Sequence, residues 1–138
     1  MSAQPAQTPS GHFYRIRLEL AREPGRPEGA ADVGYTIVAP LLPDGHLDAE
    51  AARAHRQECR VVRFHPGEEA DVGYLRRRAG GAWVFHYDFA DGSDDDDAAY
   101  RLGEHRFAPG EYVTIEEDEG AHTYRVITVH PIEIGSRP

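Results

Sequence analysis

Val72-Gly73-Tyr74-Leu75-Arg76-Arg77-Arg78-Ala79-Gly80-Gly81-Ala82-Trp83-Val84-Phe85-His86-Tyr87-Asp88 is the stretch whose reading decides the fold. Successive side chains of a strand point to opposite faces. Trp83, Phe85 and Tyr87 therefore share one face, and His86 and Asp88 share the other. Paired glycines supply the positive φ angles that a tight hairpin turn requires. The stretch reads as two antiparallel strands, Val72 to Arg78 and Ala82 to Asp88, with the aromatic stripe at the centre of a core.

The same period of two recurs on both sides. Phe13 to Leu20 alternates, with Tyr14, Ile16, Leu18 and Leu20 on one face and Arg15, Arg17 and Glu19 on the other. Tyr35 to Ala39 is a short strand, stopped by Pro40, Pro43 and Asp44-Gly45. Asp48 is placed to cap a helix running to about Glu58. The stripe of that helix, Ala51, Ala54, His55 and Glu58, is thin, so it should lie over one end of the sheet. Cys59 to Phe64 reads as a strand, Asp88 to Asp97 as an acidic loop, and Tyr100 to Phe107 as containing a short strand. Glu111 to Glu117 and His122 to Val129 form a second hairpin around Asp118-Glu119-Gly120. The expectation is a mainly β (α+β) fold: about seven short, mostly antiparallel strands in a small barrel or sandwich with one short helix.

The segment Phe107-Ala108-Pro109-Gly110-Glu111-Tyr112-Val113-Thr114-Ile115, followed by Tyr124-Arg125-Val126, resembles hairpins of small SH3-like barrels. The chain as a whole resembles a small bacterial protein family of unknown function, a resemblance that implies no activity. One internal repeat is literal. Ala31-Asp32-Val33-Gly34-Tyr35 recurs as Ala70-Asp71-Val72-Gly73-Tyr74. Either a half-domain is duplicated, or two strands begin with similar residues for similar reasons. The second reading is favoured because nothing beyond the tyrosines aligns.

At 138 residues the chain has the length of one domain. Residues 1–11 read as a disordered tail, 12–132 as a single β-rich domain, and 133–138 as a frayed end. The first ten residues have no positive start and no apolar run, so they do not read as a secretory signal. No apolar stretch is long enough to span a bilayer. These features predict a cytoplasmic protein.

Composition excludes much chemistry. The chain has no lysine and no asparagine, and its only cysteine is Cys59. A lysine Schiff base, a P-loop lysine and an internal Cys-x-x-Cys pair are therefore impossible. All fifteen basic residues are arginine, which suggests the codon usage of a GC-rich, bacterial genome. The net charge of −9 argues against general nucleic-acid binding and against attraction to anionic membranes. Ser93 lacks the strand-turn-helix setting of a nucleophile elbow. Cys59 is expected to be a small core residue.

Three constellations remain. Arg60, Arg63, Arg76 and Arg78, flanked by Tyr74, form a basic strip if their strands pair. Guanidinium forks suit phosphates and carboxylates, and the competing reading is cross-strand ion pairing with the surplus acids. His86 and Asp88 share a strand face and, with a distant histidine, look like the two-histidine, one-carboxylate triad of non-haem iron enzymes. His122 is the expected third metal ligand, with His105 and His130 as alternatives. That resemblance is broken by the chain's short length and by the lack of a suitable arginine after the distal histidine. The Asp88–Asp97 run fails the EF-hand spacing, because Phe89 and Tyr87 stand where ligands are needed. The leading expectation is a non-catalytic binding or interaction module with no cofactor, whose partner is a protein or a small acidic ligand. The alternative is a divalent-metal enzyme.

Overall fold

The computed structural model describes residues 12–22, 27–78, 81–88, 94–98, 102–117 and 120–133. The expected N-terminal tail lies outside them, as does the expected frayed end beyond Glu133. In chain order the strands are β1 (His12–Leu20), β2 (Ala30–Leu41), β3 (Arg60–Phe64), β4 (Asp71–Arg77), β5 (Trp83–Asp88), β6 (Asp94–Ala98), β7 (Tyr112–Glu117) and β8 (Gly120–Ile132). A short helix, α1 (Ala49–Ala54), and a 3₁₀ turn, Arg56–Glu58, lie between β2 and β3. Each strand pairs antiparallel with the next, and β8 closes on β1 from Phe13 opposite Ile132 to Leu20 opposite Tyr124. The fold is thus mainly β, and of the two expected architectures it is the barrel. The thinnest seam joins β6 to β7, which meet in a single pair, Ala98 opposite Glu116.

The deciding hairpin is present, with Gly73 opposite Tyr87 and Arg77 opposite Trp83. Trp83, Phe85 and Tyr87 are buried in one continuous core with Ile16, Leu18, Tyr35, Ile37, Val61, Leu75, Val113, Ile115, Tyr124 and Val126. Eight strands give an interior just wide enough for side chains to fill. These residues fill it, so the barrel is a packed scaffold whose accessible surfaces are its wall and its two ends.

Several elements differ from expectation. The acidic run is not all loop: Asp94–Ala98 is β6, paired with β5 from Val84 opposite Ala98 to Asp88 opposite Asp94. Aspartate is poor at forming strands in isolation, but strand preference depends on the neighbour supplied by the fold. The segment read as a short strand after Tyr100 instead holds a 3₁₀ turn, Leu102–Glu104, with Leu102 buried. β2 does not stop at Pro40. β3 begins opposite Val38, so β1 is the only strand beside Pro40, where a residue without an N–H is tolerated. β8 likewise continues through Pro131.

Asp48 caps α1 as expected, its carboxylate accepting from the Ala51 N–H at 3.1 Å. The buried face is Ala51 and Ala52, however, and Ala54 is exposed. A helix this short has no stability of its own. Packing fixes its rotation, including an edge contact between His55 and Phe13. Among the described residues no helix is long and apolar enough to cross a membrane.

The repeated pentapeptides are both strand starts, and their glycines share a physical role. A Cβ on Gly34 would lie 2.0 Å from the Leu18 carbonyl oxygen, and one on Gly73 would lie 2.1 Å from that of His86. Their parity is inverted. Tyr35 points into the core, whereas Gly73 and Leu75 point inward and Tyr74 outward. The two copies therefore do not present equivalent surfaces, which favours independent strand starts over a duplicated half-domain.

Because consecutive strands are neighbours, alternate connections emerge together. Those after β1, β3, β5 and β7 share one end of the barrel. Those after β2, β4 and β6 share the other, together with α1.

Candidate functional site

At the α1 end the meander brings the last residues of β4 beside the helix. Leu75 and Trp83 are the final inward-facing core residues there. Arg77 follows Leu75 on the inward face, but at the strand's end nothing covers it, and its side chain is exposed. α1 contributes Ala49, Ala52 and Arg53, and the 3₁₀ turn contributes Arg56. Together with Arg76, Arg78 and Gly81 these residues line a cleft of about 300 Å³. Its floor is apolar, from Leu75, Trp83, Ala49 and Ala52. Its walls carry five arginines, and no described lining residue is acidic.

Local contacts aim the guanidiniums. Arg76 Nη1 donates to the Arg56 carbonyl at 2.9 Å, which ties β4 to the 3₁₀ turn, and its guanidinium lies 4.4 Å above the Tyr74 ring. Arg77 stands 5.8 Å from the centroid of the Trp83 ring. Gly81, at φ +95°, holds the turn beside it, where even a Cβ would come within 3.2 Å of Arg77 Nη2. Elsewhere arginines meet carboxylates: Arg17 with Glu19, Arg63 with Asp71, and Arg106 with Glu111. Among the described residues no carboxylate forms an ion pair with Arg53, Arg56 or Arg77. Guanidinium forks of this kind match the geometry of phosphate and carboxylate groups.

The expected basic strip is divided by strand alternation. Arg76 and Arg78 reach the cleft. Arg60 and Arg76 both lie over the Tyr74 ring, at 5.3 and 4.4 Å from its centroid. Arg63 shares the inward parity of Val61 and makes a two-pronged bond to Asp71 Oδ2, at 3.0 Å from Nε and 2.7 Å from Nη2. It also lies 4.4 Å over Tyr87, far along β3 from the cleft. The sequence reading missed Arg53 and Arg56, and it left Arg77 out of the binding set although Arg77 stands between Arg76 and Arg78. Arg53 and Arg56 stand three apart in the predicted helix, a spacing that puts them on one face. That signal was available, but nothing local said which strand the face would meet.

The opposite end holds a different chemistry. Glu117 Oε2 accepts from the Tyr35 and Tyr124 hydroxyls, the latter at 2.5 Å. Glu117 Oε1 lies 3.9 Å from His122 Nε2. Tyr35 is fully buried, and its ring contacts those of Phe85 and Tyr124, each at 5.1 Å. This cluster plugs the barrel end with a carboxylate bound by two phenols.

Of the residues expected to hold a metal, the two histidines His86 and His122 lie on opposite faces of the barrel wall. His86 takes the outward parity of β5, opposite Tyr74, while His122 lies on the inward face of β8, opposite Ile115. Asp88 ends β5 opposite Asp94. Among the described residues no three histidine, cysteine or acidic side chains come together as a metal site. Cys59 is fully buried, with its thiol directed at the His55 carbonyl at 3.5 Å. Burial pushes its pKa up to about 12, outweighing the opposing pull of Arg76.

The chain matches no protein-family model, no curated protein and no solved structure. The functional reading therefore rests on the chemistry of its own two barrel ends.

Proposed function

We propose that this protein is a cytoplasmic, non-catalytic binding module that holds a small acidic ligand in the arginine cleft at the α1 end. One observation carries the reading: Arg53, Arg56 and Arg77, which pair with no carboxylate among the described residues, line one cleft together with Arg76 and Arg78, in a chain whose net charge is −9. A cleft of about 300 Å³ is the size of a small-molecule site, not of a groove for a folded partner. The non-catalytic part is supported by the missing lysine and by a lone thiol that burial keeps protonated.

The test uses Trp83, the only tryptophan of the chain, which lies in the cleft floor. Titration with pyrophosphate at low salt is expected to change its fluorescence saturably. The Arg53→Ala/Arg56→Ala variant, altered only at exposed positions, should bind at least tenfold more weakly. A flat titration of the wild type, or an unchanged affinity in the variant, refutes the reading.

A further inference from the structure

Resting on that anion-binding reading, we infer that the ligand is a diphosphate ester: a head carrying at least two negative charges joined to an apolar or aromatic body. The head follows from counting guanidiniums. One carboxylate offers two oxygens and satisfies one fork. Arg53, Arg56 and Arg77 have no carboxylate partner among the described residues, and they approach the cleft from the helix, the 3₁₀ turn and the strand end respectively. Three forks lining one cleft from three elements need several acceptor oxygens, which a diphosphate supplies and a lone carboxylate does not.

The body follows from the floor. Half-buried Ala49 and the few exposed atoms of Leu75, Ala52 and Trp83 give the cleft a small apolar patch among its guanidiniums. A bare inorganic anion would leave that surface wet and contribute nothing there, whereas an attached apolar group would cover it. A nucleoside diphosphate and an alkyl diphosphate share the required chemistry, and they differ only in whether the body is a plate or a chain.

Isothermal titration calorimetry of the full chain against pyrophosphate, adenosine diphosphate and geranyl diphosphate separates the two halves of the inference. At least one ester is expected to bind tenfold or more tightly than pyrophosphate, and which one does so identifies the body as aromatic or aliphatic. Adenosine, which has the body without the head, should bind at least a hundredfold more weakly than the diphosphate. Ala49→Asp adds a carboxylate to the lining at a helix start that favours acids, and it should abolish binding of both esters while the barrel stays folded. If both esters bind no more tightly than pyrophosphate, the body is refuted and the anion site stands. If adenosine matches adenosine diphosphate, the multiply charged head is refuted. If pyrophosphate and both esters fail to bind, the anion-binding reading falls with the inference built on it.

Discussion

Replacing Glu117 by alanine removes the acceptor that two core phenols share. Tyr35 and Tyr124 are 0% and 2% exposed, so water cannot readily take the place of the carboxylate. A hydrogen bond to a charged group contributes about 1.5–3 kcal/mol, and two of them set an upper range of about 3–6 kcal/mol. Both bonds share the one Oε2 oxygen and so do not add in full, and the lower half of the range is expected. With an m-value of about 2 kcal/mol per molar urea, a loss of about 3 kcal/mol lowers the unfolding midpoint by about 1.5 M. Trp83 fluorescence and far-ultraviolet circular dichroism give independent readings of that midpoint. Tyr35→Phe and Tyr124→Phe each keep the ring contacts and remove one donor, so each alone should cost about 1–2 kcal/mol. Because both hydroxyls address the same oxygen, loss of one lets the other strengthen. The double variant should therefore cost more than the two singles added together, by about 0.5–1 kcal/mol. A Glu117→Ala midpoint within about 0.3 M of wild type at unchanged slope would falsify the claim that this carboxylate holds the barrel end together.

Two further outcomes follow from the fold. Gly73→Ala forces a Cβ to 2.1 Å from a backbone oxygen, so it should destabilise by about 2 kcal/mol or more, read as a fall in the urea midpoint; an unaffected midpoint contradicts the close strand approach. Cys59 should resist thiol reagents at pH 8 in the native protein and react at once in denaturant. Its raised pKa also sets a direction. The thiol's contribution to stability is fully present below the ordinary value of 9.0 and is lost as pH rises toward about 12. Rapid native labelling, or a Cys59→Ala variant with the same alkaline stability loss as wild type, would show that the thiol does not carry it.

What the sequence disclosed and what it hid divide along the range of the interactions involved. The Trp83-Phe85-Tyr87 stripe and the alternation of β1 were legible because one face of each strand meets the core, and burial writes a period of two into the residues themselves. The Asp48 cap was legible because a cap is satisfied within one turn. β6 was not, because Asp94 to Asp97 carry no strand signal and acquire their ladder only from β5. The face of α1 was misjudged because six residues make fewer than two turns, too few for a stripe to define an orientation. The Glu117 cluster joins residues 82 positions apart in sequence, and the acids around Glu117 gave no reason to single it out. In the basic strip, Arg63 was grouped with Arg60 although the two stand three apart on a strand, a spacing that puts them on opposite faces. The sequence contained that parity, and the structure shows its consequence: Arg63 turns inward to Asp71, and Arg60 stays on the wall.

A binding cleft for anions on a protein of net charge −9 is consistent once distance is considered. At physiological ionic strength the screening length is about 8 Å. Exposed acids farther than that from the cleft therefore barely lower the potential felt in it, while the guanidiniums lining it act on a ligand at contact distance. The packed interior strengthens this separation, since a low-dielectric core between the two ends leaves solvent, with its ions, as the path for most field lines. In the proposed binding mode, net charge acts on what approaches the molecule from afar and repels long polyanions. Local charge acts on what enters the cleft, and the proposal requires an anion small enough to fit there without also meeting the acidic remainder of the surface. On that proposal the surplus of acid elsewhere adds to selectivity for a small anion rather than opposing its binding.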